Sequence, residues 1–143
     1  MMDMKIESLS VREVEAVAFV LAKKLMSWDE PIPEFGSRFP NILESCLAVP
    51  FSTFARKNLY HGLEEKAGIL FYLLIKNHPF QNGNKRIATA TLLYFLMKNR
   101  RWLETDHHEL YRFVKWVAES NPKLQKETVL AVGKFIKTYL VKL

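Results

Sequence analysis

Apolar residues recur at helical intervals in several separate stretches of this chain, and nowhere alternate long enough to build a strand. The first stretch follows Ser10, which has capping-box spacing to Glu13; Val14, Val17, Ala18, Leu21 and Leu25 then share one face. A helix starting near Ser10 is expected. Pro31, Pro33, Gly36 and Pro40 break that pattern, so the run from Trp28 to Pro40 predicts a loop. Ile42, Leu43, Cys46 and Leu47 predict a short second helix that stops near Pro50. The aromatic residues between Val49 and Gly62 predict a loop pinned to the core.

From Leu63 to Asn77 the apolar stripe is Ala67, Leu70, Phe71, Leu74 and Ile75, with nothing to break a helix before Pro79. From Asn84 to Asn99 the apolar positions Ile87, Ala88, Ala90, Leu92, Leu93, Phe95 and Leu96 nearly encircle the helix, which predicts the most buried helix of the domain. Thr105-Asp106-His107-His108 is a start signal for a helix carrying Leu110, Phe113, Val114, Val117 and Ala118 to about Ser120. Asn121 and Pro122 open the last helix, whose buried face is Val129, Val132, Phe135, Ile136 and Leu140. No repeat or linker interrupts the chain. The expectation is an all-α, single-domain bundle over residues 1–143, with about six helices and a polar loop between two central ones.

Composition narrows the function classes. A chain of 143 residues, 49% hydrophobic and 25% charged, can bury one core and leaves little for a second domain. Cys46 is the only cysteine, which excludes an intramolecular disulfide and a cysteine-ligated zinc, and fits a reducing, cytoplasmic setting. It is expected to act as a small buried hydrophobe. Met1 to Lys5 lacks the apolar core of a signal, and no apolar run approaches the roughly 18 residues of a membrane span. The net charge of +6 suits nucleic acid, an acidic partner or a phosphate-bearing ligand, but the basic residues are scattered over polar faces. The densest patch, Lys98-Asn99-Arg100-Arg101, closes a helix where cations favour the dipole, so direct nucleic-acid binding is not expected. Tyr94, Phe95, Trp102 and Trp116 are expected in the core. His107 and His108 diverge by about 100° on a helix and are expected to lie at a surface cap and not to share a metal; His61 stands alone in a loop.

The chemistry concentrates between the two central helices, in His78-Pro79-Phe80-Gln81-Asn82-Gly83-Asn84-Lys85-Arg86. Gly83 permits a tight turn, and the first N–H groups of the following helix offer an anion the positive end of a dipole. Lys85 and Arg86 lie at that same helix start, an unfavourable place for cations unless an anion is present. His78 is the motif side chain able to exchange a proton near neutral pH, so it is the candidate general base; Phe80 is the candidate anchor. Taken from the residues, the loop describes a phosphate site with a base beside it, or a polar turn between helices with no ligand.

These residues resemble the signature of the Fic/Doc family, H-x-F-x-[D/E]-[G/A]-N-[G/K]-R, at every position but one. Glu65-Lys66-Ala67-Gly68 before the loop and Arg86-Ile87-Ala88 after it resemble the death-on-curing branch, and the likeness spans roughly Leu43 to Trp102. The resemblance implies that His78 deprotonates a target hydroxyl, that Phe80 packs into the core, and that Gly83, Asn84, Lys85 and Arg86 hold the phosphates of ATP or another nucleotide. Lys85 stands where adenylylating members carry glycine and death-on-curing toxins carry lysine. This implies a kinase-like toxin that passes the γ-phosphoryl group of ATP to elongation factor Tu and is neutralised by a small antitoxin acting in trans. The departure is Asn82, at the acidic position that binds Mg²⁺; an amide there is only a weak metal ligand. Thr89 replaces a later arginine of the adenylylating signature, and the inhibitory [S/T]-x-x-x-E-[G/N] segment is missing. The alternatives are AMP transfer, or a nucleotide- or protein-binding module disarmed by Asn82.

Overall fold

A computed structural model describes residues 5–25 and 31–143 of the chain. Trp28, at the start of the expected loop, and the side chain of Leu25 lie outside the described residues. The capping box forms as its spacing predicts. The Glu13 N–H donates to the Ser10 hydroxyl at 3.2 Å, and the Ser10 N–H donates to the Glu13 carboxylate at 3.0 Å. From that cap α1 (Val11–Glu13) runs through a π-helical segment, Val14–Ala18, into α2 (Phe19–Leu25). A 3₁₀ turn at Phe35–Ser37 leads to α3 (Pro40–Ala48), with Pro40 in its first turn. After a second 3₁₀ turn, Val49–Phe51, come the long helices α4 (Gly62–Lys76), α5 (Asn84–Lys98), α6 (His107–Glu119) and α7 (Gln125–Tyr139). With the run from Val11 to Leu25 taken as one, the described residues form six α-helical rods.

The centre of the molecule is α4, packed between α5 and α7. Gly68 sets its distance from α7, because a Cβ there would stand 3.3 Å from both the Cα and the N of Gly133. Burial is shared: nine of the fifteen positions are buried on α4 and nine on α5, so α5 is not alone the most buried helix. Cys46 is fully buried, and desolvation pushes its thiol up to about 11.

The fold is all-α as expected, with two small strand pairs added between the helices. β1 (Thr53–Phe54) pairs with β2 (Lys57–Asn58) across a turn in which Ala55 and Arg56 both have positive φ, the backbone of a two-residue hairpin. β3 (Arg101–Leu103) pairs with β4 (Leu140–Lys142), placing Leu103 opposite Leu140. Leu140 therefore belongs to a strand and not to the last helix, which ends at Tyr139. That helix also starts later than Asn121, since Pro122–Leu124 form a 3₁₀ turn first. The loop before α4 is pinned only in part: Phe51 meets Phe95 edge-on at 6.2 Å, whereas Phe54 at the hairpin is 75% exposed. Trp102 and Trp116 are not core residues either, being 38% and 50% exposed, while Phe95 is buried. His107 and His108 sit at the start of α6, where Asp106 accepts from the His108 N–H at 3.0 Å. Among the described residues, no helix is long and apolar enough to cross a membrane.

Candidate functional site

The polar loop joins α4 to α5 and is fixed from three directions. Phe80, 1% exposed, enters a cluster with Phe19 at 5.5 Å and Phe35 at 5.8 Å between ring centroids, and those two meet edge-on at 5.2 Å. The rings of α2 and of the 3₁₀ turn thus form the floor beneath the loop. The Pro79 carbonyl accepts the Phe39 N–H at 2.9 Å, which ties the loop to the start of α3. The third hold is Asn84, 5% exposed in the first turn of α5. Its Oδ1 accepts the Phe80 N–H at 3.0 Å and its Nδ2 donates to the Phe80 carbonyl at 2.8 Å.

That pair of bonds fixes which end of the Asn84 amide is which. Its second Nδ2 proton faces the Nδ1 of His78 at 3.4 Å, the long limit of a hydrogen bond. His78 is exposed and has φ of +49°, a left-handed backbone that a non-glycine residue adopts at a cost of about 1 kcal/mol or more.

Gly83 is the left-handed N-cap of α5, with φ of +72°. A Cβ there would lie 2.9 Å from the Cδ1 of Ile32 and 3.0 Å from the carbonyl oxygen of Pro31, so glycine is needed for conformation and for space. Having no side chain, Gly83 offers no cap to the first-turn N–H groups of α5.

The structure therefore brings His78, Phe80, Asn82, Gly83, Asn84, Lys85 and Arg86 together on one short turn, with distinct surroundings. Gln81 and Asn82 are exposed, whereas Lys85 and Arg86 are half-buried. The Arg86 guanidinium donates to the Ala22 carbonyl at 2.7 Å, tying α5 to α2. The placement of this cation at a helix start is thus partly explained by packing. Asn84 is engaged within the loop itself, a positioning role that its signature position does not announce. Thr89 is fully buried, its hydroxyl donating back to the Lys85 carbonyl at 2.8 Å. Of the floor residues, Phe19 lies in the first predicted helix but outside the stripe assigned to it, and Phe35 lies in the proline-rich stretch that read only as loop, where its aromatic ring was the available signal.

A model of the Fic/DOC family matches residues 10–96, more than half of the chain. The chain belongs to the Fic/DOC family. Comparison with curated proteins and with solved structures gives no match. The family match starts at the Ser10 cap, well before the resemblance that began near Leu43, and ends within α5, so it includes the phenylalanine floor as well as the loop. Fic/DOC proteins are in general nucleotide transferases that modify proteins, and the matched residues of this chain include the loop between α4 and α5. Within the loop His78-Pro79-Phe80-Gln81-Asn82-Gly83-Asn84-Lys85-Arg86 there is no carboxylate, and among the described residues no group of three His, Cys, Asp or Glu converges to hold a metal. This donor set is a poor fit for a protein-held Mg²⁺, which normally relies on one or two carboxylates.

Proposed function

We propose that this Fic/DOC chain is a death-on-curing-like toxin that transfers the γ-phosphoryl group of ATP to a hydroxyl side chain of a protein, by resemblance elongation factor Tu. The observation that carries the reading is the strained His78, held by Asn84 beside the uncapped start of α5. His78 takes the hydroxyl proton on its imidazole as the hydroxyl oxygen forms its bond to the γ-phosphorus. The bond from that phosphorus to the β,γ-bridging oxygen breaks, and ADP leaves with the electron pair. Gly83, Lys85, Arg86 and the first-turn amides of α5 face the phosphates, with Asn84 keeping the loop in shape. Any Mg²⁺ would arrive on the nucleotide and not on Asn82. Lys85, in place of glycine, supports phosphoryl transfer over adenylyl transfer. The missing inhibitory segment supports neutralisation by a small antitoxin in trans.

Asn82 favours a second reading, a Fic-fold module that binds nucleotide or a protein partner with little catalysis. Transfer of ³²P from γ-labelled and from α-labelled ATP into bacterial lysate, with growth on induced expression, separates the two. The toxin reading requires γ-label transfer and growth arrest that both vanish in His78→Ala. Transfer of α-label instead would make the protein an adenylyltransferase. Silence from the wild type, with label appearing in Asn82→Asp, would establish the binding module.

A further inference from the structure

Arg38 lies one residue before Phe39, and His78 one residue before Pro79; the Phe39 N–H and the Pro79 carbonyl are hydrogen-bonded at 2.9 Å. The backbone thus sets Arg38 beside the motif loop, though the two are 40 positions apart in sequence. Its guanidinium lies on the ring of Phe35, 4.5 Å from the centroid, and Phe35 in turn packs on Phe80. The side chain is half-buried. Its hydrogen bonding is nevertheless almost empty: Nη1 makes one long contact to the Phe35 carbonyl at 3.4 Å, and Nε is buried without a partner. Among the described residues no carboxylate pairs with it. A guanidinium held over an aromatic ring, with one long hydrogen bond and a buried Nε that has no partner among the described residues, is suited to a ligand oxyanion.

We propose that Arg38 is a further anion-binding residue of this site, donating to a phosphate oxygen of the nucleotide. The assignment rests on the nucleotide reading above. Phosphate is favoured over a carboxylate of the protein target because the loop carries no acid of its own. Without one, neutralisation of the polyphosphate falls to the chain's cations, and the Arg38 fork is still open. Its removal should cost the fold little, since it breaks only one long hydrogen bond and a ring contact.

The test is calorimetric titration of the whole chain with ATP, inorganic pyrophosphate and adenosine, with and without EDTA, comparing wild type with Arg38→Gln and Arg38→Lys. Arg38→Gln is expected to weaken ATP and pyrophosphate about tenfold or more, with and without EDTA, and to leave adenosine and the melting temperature nearly unchanged. Arg38→Lys should recover part of the loss, because it restores the charge but not the fork. Wild-type binding of ATP with an unchanged affinity in Arg38→Gln would overturn the assignment and leave the nucleotide reading standing; Arg38 would then be a candidate contact for the protein target. A wild type that binds neither ATP nor pyrophosphate would overturn both.

Discussion

The two ends of α5 use the same device for different purposes. At its start Asn84 grips the N–H and the C=O of Phe80; just past its end Asn99 grips the N–H and the C=O of Glu7, at 2.7 and 3.0 Å. Both asparagines are about equally buried, and each grips a single residue, Asn84 one in its own loop and Asn99 one in the distant N-terminal segment. What differs is the remaining amide proton. That of Asn99 goes to the Phe95 carbonyl within its own helix, at 2.9 Å, and completes a closed structural clasp. That of Asn84 faces His78 at 3.4 Å, a loose contact to a titratable ring. A satisfied clamp stabilises, whereas one that leaves a donor weakly used beside an exposed imidazole can position chemistry.

Replacing each asparagine by alanine should separate these roles most sharply. Asn84→Ala leaves the N–H and C=O of Phe80 buried and unpaired, and is expected to cost about 2 kcal/mol in denaturant unfolding and at least about a hundredfold in label transfer. Asn99→Ala should cost about 1–2 kcal/mol, because Glu7 is exposed, and leave transfer within a few-fold of wild type. Equal activity losses at both ends would show that Asn84 only holds the fold.

Left-handed backbone also occurs at both ends, at Gly83 before the helix and at Arg100 after it. Gly83→Ala is expected to cost about 2 kcal/mol, combining left-handed strain with the push of its Cβ against the Pro31 carbonyl. Arg100→Gly, at an exposed position with φ of +62°, should raise stability by about 0.5–1 kcal/mol in thermal melts. His78→Gly should give a similar gain while abolishing transfer, because there the strain holds the base. A His78→Gly protein less stable than wild type would mean that the left-handed turn is not strained.

How far the sequence disclosed this molecule depends on which interactions are local. The helices α4 and α5 and the loop between them are legible because long 3.6-residue patterns end at Pro79 and resume after Gly83. The π-helical turn Val14–Ala18 is not, since one extra residue in a turn changes hydrogen bonding without changing composition. The strands are two or three residues long, too short to show alternation, and β3 and β4 find each other across some forty residues. That pairing leaves Trp102 on the outside of a ribbon, against the expectation of burial. In the site, His78 and Phe80 stand in the structure where their chemistry suggested, one exposed and one in the core. The clamp that Asn84 makes on the Phe80 backbone was not foreseen, because nothing local reveals that its amide fits there. Arg38 was missed because its link to the loop is a backbone hydrogen bond between two segments with no shared pattern.

The smallest expected effect tests the clasp end by pH. Burial alone would raise the Glu13 carboxyl, but the Lys98 ammonium at 2.7 Å, the Ser10 N–H and hydroxyl, and the Tyr94 hydroxyl at 3.1 Å together bring it down to about 2. In the unfolded chain it titrates near its ordinary 4.5. The unfolded state therefore takes up this proton first as pH falls, and the contribution is complete above about pH 4.5 and lost between there and about 2. The pair is partly solvated, which limits its worth to about 0.5–1 kcal/mol. Glu13→Gln should lower the melting temperature at pH 7 by a few degrees and flatten its decline between pH 4.5 and 2, with label transfer at pH 7 unchanged. An equally steep decline in Glu13→Gln would place the acid sensitivity elsewhere. A fall in transfer would show that the far end of α5 is coupled to the loop, and that the two asparagine clamps act as one device.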